Sequence, residues 1–155
     1  MKKIFLLLII CISANLLIST SAYAQCEFKK MVKANKSNMK PYKYSGAAYN
    51  DFIISNESIN IEIEFTAYAG QKFRLLFLYS GKYNDEVKIS VYDRKSNFKT
   101  RKKIYEGGLA SATAKSEFEP PKTGNYFIEY DVPASADNKG KVACVVLLVG
   151  YQETE

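Results

Sequence analysis

The densest run of chemically active side chains in this sequence is basic. Arg94, Lys95, Lys99, Arg101, Lys102 and Lys103 fall within ten residues, with Phe98 among them. Clustered cations attract anions, so the run is a candidate site for lipopolysaccharide, an acidic glycan or another polyanion. The commoner use of such a run is to keep an exposed loop solvated. Tyr68 and Tyr92 are candidates of a second kind. Both fall on the expected wet faces of strands, where an aromatic ring can stack on a sugar. Tyrosine is also an ordinary strand residue, half buried with its hydroxyl outward.

The carboxylates offer less. Glu62 and Glu64 share one face of a strand, but glycoside hydrolysis needs a cleft and one carboxyl with a raised pKa. Two glutamates on a wet face supply neither. Asp85, Glu86 and Asp93 flank one strand, and Asp131 and Asp137 another. Calcium takes about six to eight oxygens, and no D-x-D-x-D-G loop is present, so no metal site is assigned. Histidine and tryptophan are absent from the sequence. The first absence excludes Ser-His-Asp, Cys-His and histidine-zinc sites. The second removes the commonest aromatic platform. No catalytic residue and no cofactor are expected, and the chain reads as something other than an enzyme.

The first 24 residues have a separate purpose. Lys2 and Lys3 precede an apolar run over residues 4–12, extended by Leu16-Leu17-Ile18, and Ala22-Tyr23-Ala24 follows. That order is a charged start, an apolar middle and an A-x-A cleavage site, the pattern of a signal peptide. A retained membrane anchor wants about 20 apolar residues, and Ser13-Ala14-Asn15 interrupts the run. The mature chain then starts at Gln25, keeps no membrane span and works in the periplasm or outside the cell. Cys26 is read as a thiol and not as a lipid anchor, because Gln25 precedes it where a Gly or Ala would be expected. Removing Lys2 and Lys3 takes the net charge from +6 to +4, since residues 1–24 hold no acid. That charge permits polyanion binding without demanding it, and nucleic acid is not the expected partner.

Of the three cysteines, Cys11 leaves with the signal peptide. Cys26 and Cys144 remain, an even pair that reads as a disulfide in an oxidising compartment. Closing so long a loop contributes about 4–5 kcal/mol in the chain-entropy model. Two buried free thiols are the alternative.

These residues are positioned by a β domain. Phe28, Met31 and Val32 have the spacing of one helical face, which makes residues 25–43 an N-terminal helical arm. From residue 44 onward the period becomes two. Ile59, Ile61, Ile63, Phe65 and Ala67 alternate with polar residues. Ala69-Gly70-Gln71 marks a turn, and residues 72–79 form a second strand, so the two read as a hairpin. Residues 49–55, 87–91, 104–105, 113–118 and 126–132 are further strands, with the glycines at 107 and 108 closing the shortest. Residues 93–103 are a polar loop. Residues 142–149 (VACVVLLV) are apolar throughout, as in a central strand buried on both faces. The expectation is a mainly β fold: an antiparallel, jelly-roll-like β-sandwich of about eight strands over residues 44–155, with a short N-terminal helix.

The segment Phe65-Thr66-Ala67-Tyr68-Ala69-Gly70-Gln71-Lys72-Phe73 resembles a hairpin of bacterial pre-peptidase C-terminal (PPC) domains. The strand over residues 87–93, ending in Val-Tyr-Asp, resembles their next strand. Phe118 followed by Thr123-Gly124-Asn125-Tyr126-Phe127-Ile128 resembles their closing strand. The match spans about residues 59–132. The chain is also similar to small exported proteins of Bacteroidetes-type bacteria. The resemblance implies a secreted β-sandwich, usually accessory to a larger enzyme, with no catalysis of its own. The helical arm and the cysteine pair depart from it. The functional expectation is an exported, non-catalytic binding or accessory domain of the cell envelope, recognising an anionic or glycan partner. The alternative is a structural component that binds another envelope protein.

Thiol titration of the unfolded, unreduced chain over residues 25–155 should find no free thiol. Two free thiols would refute the Cys26–Cys144 bridge.

Overall fold

The computed structural model describes residues 27–81, 87–109 and 113–154. Residues 1–24 and Cys26 lie outside them. Helix α1 (Phe28–Asn35) runs into a 3₁₀ turn (Lys36–Met39). Eight strands follow among the described residues: β1 (Lys43–Ile53), β2 (Ile59–Ala67), β3 (Gln71–Gly81), β4 (Val87–Tyr92), β5 (Lys103–Leu109), β6 (Thr113–Phe118), β7 (Gly124–Val132) and β8 (Val142–Glu153). They form two four-stranded sheets, ordered β1-β8-β3-β6 and β2-β7-β4-β5. All neighbours are antiparallel. This is the strand order of a jelly roll, so the sandwich and the short helix expected from the sequence are both present.

One connection differs. The turn at Ala69-Gly70 was expected to close a hairpin, yet β2 pairs with β7 and β3 pairs with β6 and β8. The turn is an arch that carries the chain from one sheet to the other. Gly70 has a φ of +80°, a left-handed conformation that glycine adopts without a Cβ penalty. Local alternation shows which face of a strand is buried; it does not show which strand lies beside it. The strand expected at residues 104–105 also runs on through both glycines to Leu109. Gly107 is covered by the Tyr105 ring, whose hydroxyl a Cβ there would meet.

The inner faces of the sheets form the main core. Leu75 and Phe77 of β3, Ile89 and Val91 of β4, Ile128 and Tyr130 of β7, and Val145 and Leu147 of β8 are all buried there. β8 is buried on its outer face too. Val146 and Leu148, with Leu76 and Leu78 of β3, pack beneath Phe28, Met31, Val32 and Met39. The N-terminal arm therefore covers a sheet face that would otherwise put apolar side chains in water. Cys144 is buried on β8.

Arg74 fastens the end of this arm. Its guanidinium donates to the carbonyls of Lys40 (2.6 Å) and Asn38 (3.1 Å), and to Glu117 Oε1 at 2.6 and 2.9 Å. It lies 4.2 Å from the centre of the Tyr42 ring, and the Tyr42 hydroxyl donates to Glu117 Oε2 (2.9 Å). Burial pushes the Glu117 carboxyl up, but hydrogen bonds from Arg74 and Tyr42 outweigh it and hold the group below its ordinary value. Gly150 makes the seat for the arm. A Cβ there would come within 2.7 Å of Met39 Cε and 3.1 Å of both the Lys43 carbonyl and Tyr42 Cβ.

Two measurements check this account. Gly150→Ala should lower stability by about 1–3 kcal/mol, the usual cost of overpacking, seen as an earlier urea midpoint with an unchanged slope. Because the folded-state pKa of Glu117 is depressed, its contribution is present above the unfolded carboxylate value and is lost as pH falls through the folded one. Glu117→Gln should be less stable near neutrality and lose less on acidification, so the two proteins' urea midpoints should converge at low pH.

Candidate functional site

The two long sides of the sandwich are unlike. Where β5 and β6 run near each other, the Phe77 and Tyr105 rings stack between the sheets with centroids 6.4 Å apart. On the other side the edge strands are β1 and β2. Here β1 carries the small residues Ser45, Gly46, Ala47 and Ala48, and its register with β8 shifts between Tyr44 and Gly46. Small side chains on one lip leave the interior of the sandwich uncovered. The result is an open cleft of about 480 Å³ between these residues, Ile63–Thr66 of β2, and Leu147, Val149 and Tyr151 of β8.

Its walls are amphipathic. Phe65 and Phe73, which also line the cleft, belong to a ring cluster with Phe118 and Tyr126 that spans the two sheets, centroids 5.5–6.4 Å apart. Tyr68 stands on the rim with 52% of its surface exposed, and Ser45, Glu64, Thr66 and Gln71 supply polar groups. Asn125 tethers the rim, donating to Glu64 and accepting from Thr66 Oγ1 (3.1 Å). Of the two tyrosines selected from the sequence, Tyr68 is at this cleft. Tyr92 is not, and its ring is already covered: the Arg101 guanidinium lies 3.7 Å from its centre and Lys103 Nζ 5.9 Å. A sugar would have to displace both cations to stack there.

The basic run also divides. Arg101 turns onto the outer face of the β2-β7-β4-β5 sheet and forms a fork on Glu129, with bonds of 2.5 and 3.1 Å. Glu129 is one of two buried polar residues among the described residues. The hydrogen bond with Glu129 raises the Arg101 pKa against the opposing effect of burial. Arg101 is thus an internal anchor, because its charge neutralises a carboxylate that would otherwise be buried alone. Lys103 pairs with Glu106 at 2.9 Å. Arg94, Lys95, Lys99 and Lys102 remain exposed, with no ion pair among the described residues, and Phe98 is 53% exposed beside them.

The loop that carries them is tied at several points. Lys102 N–H donates to Asp93 Oδ1 (2.7 Å), Asp93 N–H to the Lys102 carbonyl (3.2 Å), and Phe98 N–H to the Lys95 carbonyl (3.1 Å). Ser96 N–H donates to Glu62 Oε2 (2.7 Å). Glu62 therefore serves the loop while Glu64 serves the cleft rim, and the two carboxylates do not act on one ligand. Among the described residues no three His, Cys, Asp or Glu side chains gather to hold a metal, and no helix is long and apolar enough to cross a membrane. Asp85 and Glu86 lie outside the described residues.

Sequence reasoning missed the cleft. Its lips come from separate strands, and only the run of four small residues in β1 hinted at a gap.

No family model and no curated protein matches the chain. Among solved structures it is similar to Aeromonas hydrophila PliG, a periplasmic inhibitor of g-type lysozyme, at 17% identity over 73% of this chain and 90% of that one, with a TM-score of 0.49. A CBM4 structure matches at 11% identity over 77% and 83%, TM-score 0.45. TmCBM61 in complex with β-1,4-galactotriose matches at 14% identity over 77% and 93%, TM-score 0.39. At these levels none of them says what this chain binds.

Arg101→Ala should destabilise the fold by about 2–3 kcal/mol, because it strands Glu129; the cost is below that of a fully buried pair since the arginine side chain is partly exposed. Arg94→Ala and Lys95→Ala should stay within about 0.5 kcal/mol of the parent. Urea denaturation of the three variants distinguishes the anchor from the free cations.

Proposed function

We propose that the chain is an exported, non-catalytic binding domain that takes a neutral glycan segment in the cleft between β1 and β2. The observation that carries this reading is the pairing of aromatic and polar groups on one opening. A sugar ring offers an apolar face and a rim of hydroxyls. Tyr68 supplies a ring for the face, and Ser45, Glu64, Thr66 and Gln71 supply partners for the hydroxyls. The volume of about 480 Å³ falls within the range of ordinary ligand clefts, about 300–1,000 Å³. Glu64 is the charged side chain at the opening, which favours a neutral ligand over an acidic one. The signal-peptide pattern of residues 1–24 and the resemblance to pre-peptidase C-terminal domains support an exported setting. The Cys26–Cys144 bridge belongs to the same proposal, as it needs an oxidising compartment.

The test is a titration of the chain over residues 25–155 with chitotetraose, cellotetraose and β-1,4-galactotetraose, followed by amide chemical shifts. One of these should perturb β1 and β2 residues of the cleft, and Tyr68→Ala should weaken it about tenfold, the equivalent of 1.4 kcal/mol. Absence of any cleft perturbation, or binding indifferent to Tyr68→Ala, would overturn the reading.

A further inference from the structure

The loop between β4 and β5 has no part in the cleft, and its composition is unusual for a loop that only needs to stay dissolved. It exposes Arg94, Lys95, Lys99 and Lys102, none of them ion-paired among the described residues. Its own acid, Asp93, accepts the Lys102 backbone N–H. Phe98, whose ring contacts no other ring among the described residues, lies between the cations at 53% exposure. Solubility accounts for the charges but not for the phenylalanine.

The loop is also held in place. Arg101 on Glu129 fixes one end, Ser96 on Glu62 the middle, and the Asp93–Lys102 bonds the neck. Little ordering entropy then remains to be lost on docking. A ring flanked by cations on a pre-ordered loop matches a surface with anionic phosphates outside and hydrocarbon beneath. Lysine and arginine sit against headgroups while an aromatic ring occupies the boundary with the acyl chains. A contact made through charge alone would leave the ring idle.

We infer that the 93–102 loop docks the protein on an anionic phospholipid surface, with Arg94, Lys95, Lys99 and Lys102 against the headgroups and Phe98 inserted between them. The test uses the chain over residues 25–155, which contains every element of the fold and omits the apolar leader. Co-sedimentation is measured with vesicles of phosphatidylcholine and phosphatidylglycerol at about 7:3 and with phosphatidylcholine alone, at about 0.1 M salt. Binding should need the anionic lipid. It should fall about fivefold for each cation changed to glutamine, and several-fold for Phe98→Ala. These side chains are exposed, so the variants should keep the parent's urea midpoint. Because the sequence has no tryptophan, Phe98→Trp adds a sole reporter. Its emission should shift to the blue on anionic vesicles and stay unshifted with heparin. Failure to bind anionic vesicles would overturn the inference. So would vesicle binding that Phe98→Ala leaves unchanged with no blue shift of the Phe98→Trp emission, which would mark the loop as a charge-only site for soluble polyanions.

Discussion

The structure rests on the burial of β8 on both faces. A strand of six consecutive buried residues, Ala143–Leu148, cannot sit at the surface of a two-layer sandwich without help, because one side of every strand in such a fold faces out. Two features answer this. β8 takes an interior place between β1 and β3, which pairs its backbone groups along both edges. The N-terminal arm then lies over Val146 and Leu148. An eight-residue helix is marginal on its own, and none of its residues is fully buried. What holds it is the ground it covers and the fastening at its end, where Met39 fits against Gly150 and Arg74 gathers the carbonyls of the turn. The apolar strand thus requires the arm, and the arm requires the small residue and the cation beneath it.

A similar economy governs the other sheet. Glu129 is directed outward on a central strand and buried by the loop above it. Its charge is matched by Arg101, which arrives from that same loop. The pair fixes a basic segment whose remaining cations stay free. Neighbours in sequence are therefore placed differently: Arg101 works inward, Lys103 pairs with Glu106 at the surface, and Arg94, Lys95, Lys99 and Lys102 face solvent. A count of basic residues cannot make this division, since it depends on which of them lies above a buried carboxylate.

Much of the architecture was legible because it is written in short periods. The spacing of Phe28, Met31 and Val32 gave the helix, the alternation of Ile59, Ile61 and Ile63 gave a half-buried strand, and the unbroken VACVVLLV gave the doubly buried one. What failed to show was whatever depends on pairing across the sandwich. The Ala69-Gly70 turn has hairpin chemistry yet joins two sheets, because Phe73 and Phe65 meet across the interior and not along a ladder. β1 begins six residues before its expected start; Tyr44-Ser45-Gly46-Ala47-Ala48 has weak strand propensity, and pairing with β8 overrides it. The cleft was hidden for the same reason, being a gap between segments and not a property of either. Tyr68 and Tyr92 carried the same wet-face signal, and only the fold separates them: one stands at the cleft rim and the other lies beneath Arg101.

Four of the six strand pairs among the described residues are nested: β4 with β5, β3 with β6, β2 with β7 and β1 with β8. Only the innermost pair is close in sequence. Each further pair encloses the one before it, and the outermost joins Lys43 to Tyr151. Contacts of such long range are slow to form, since loop closure must precede the gain from pairing. A ribosome making this chain from its first residue delivers β8 last, and until then β1 and β3 have no strand between them. The β1-β8-β3-β6 sheet therefore cannot close until β8 has been made, so a growing chain keeps β1 and β3 unpaired with each other for as long as that strand is missing.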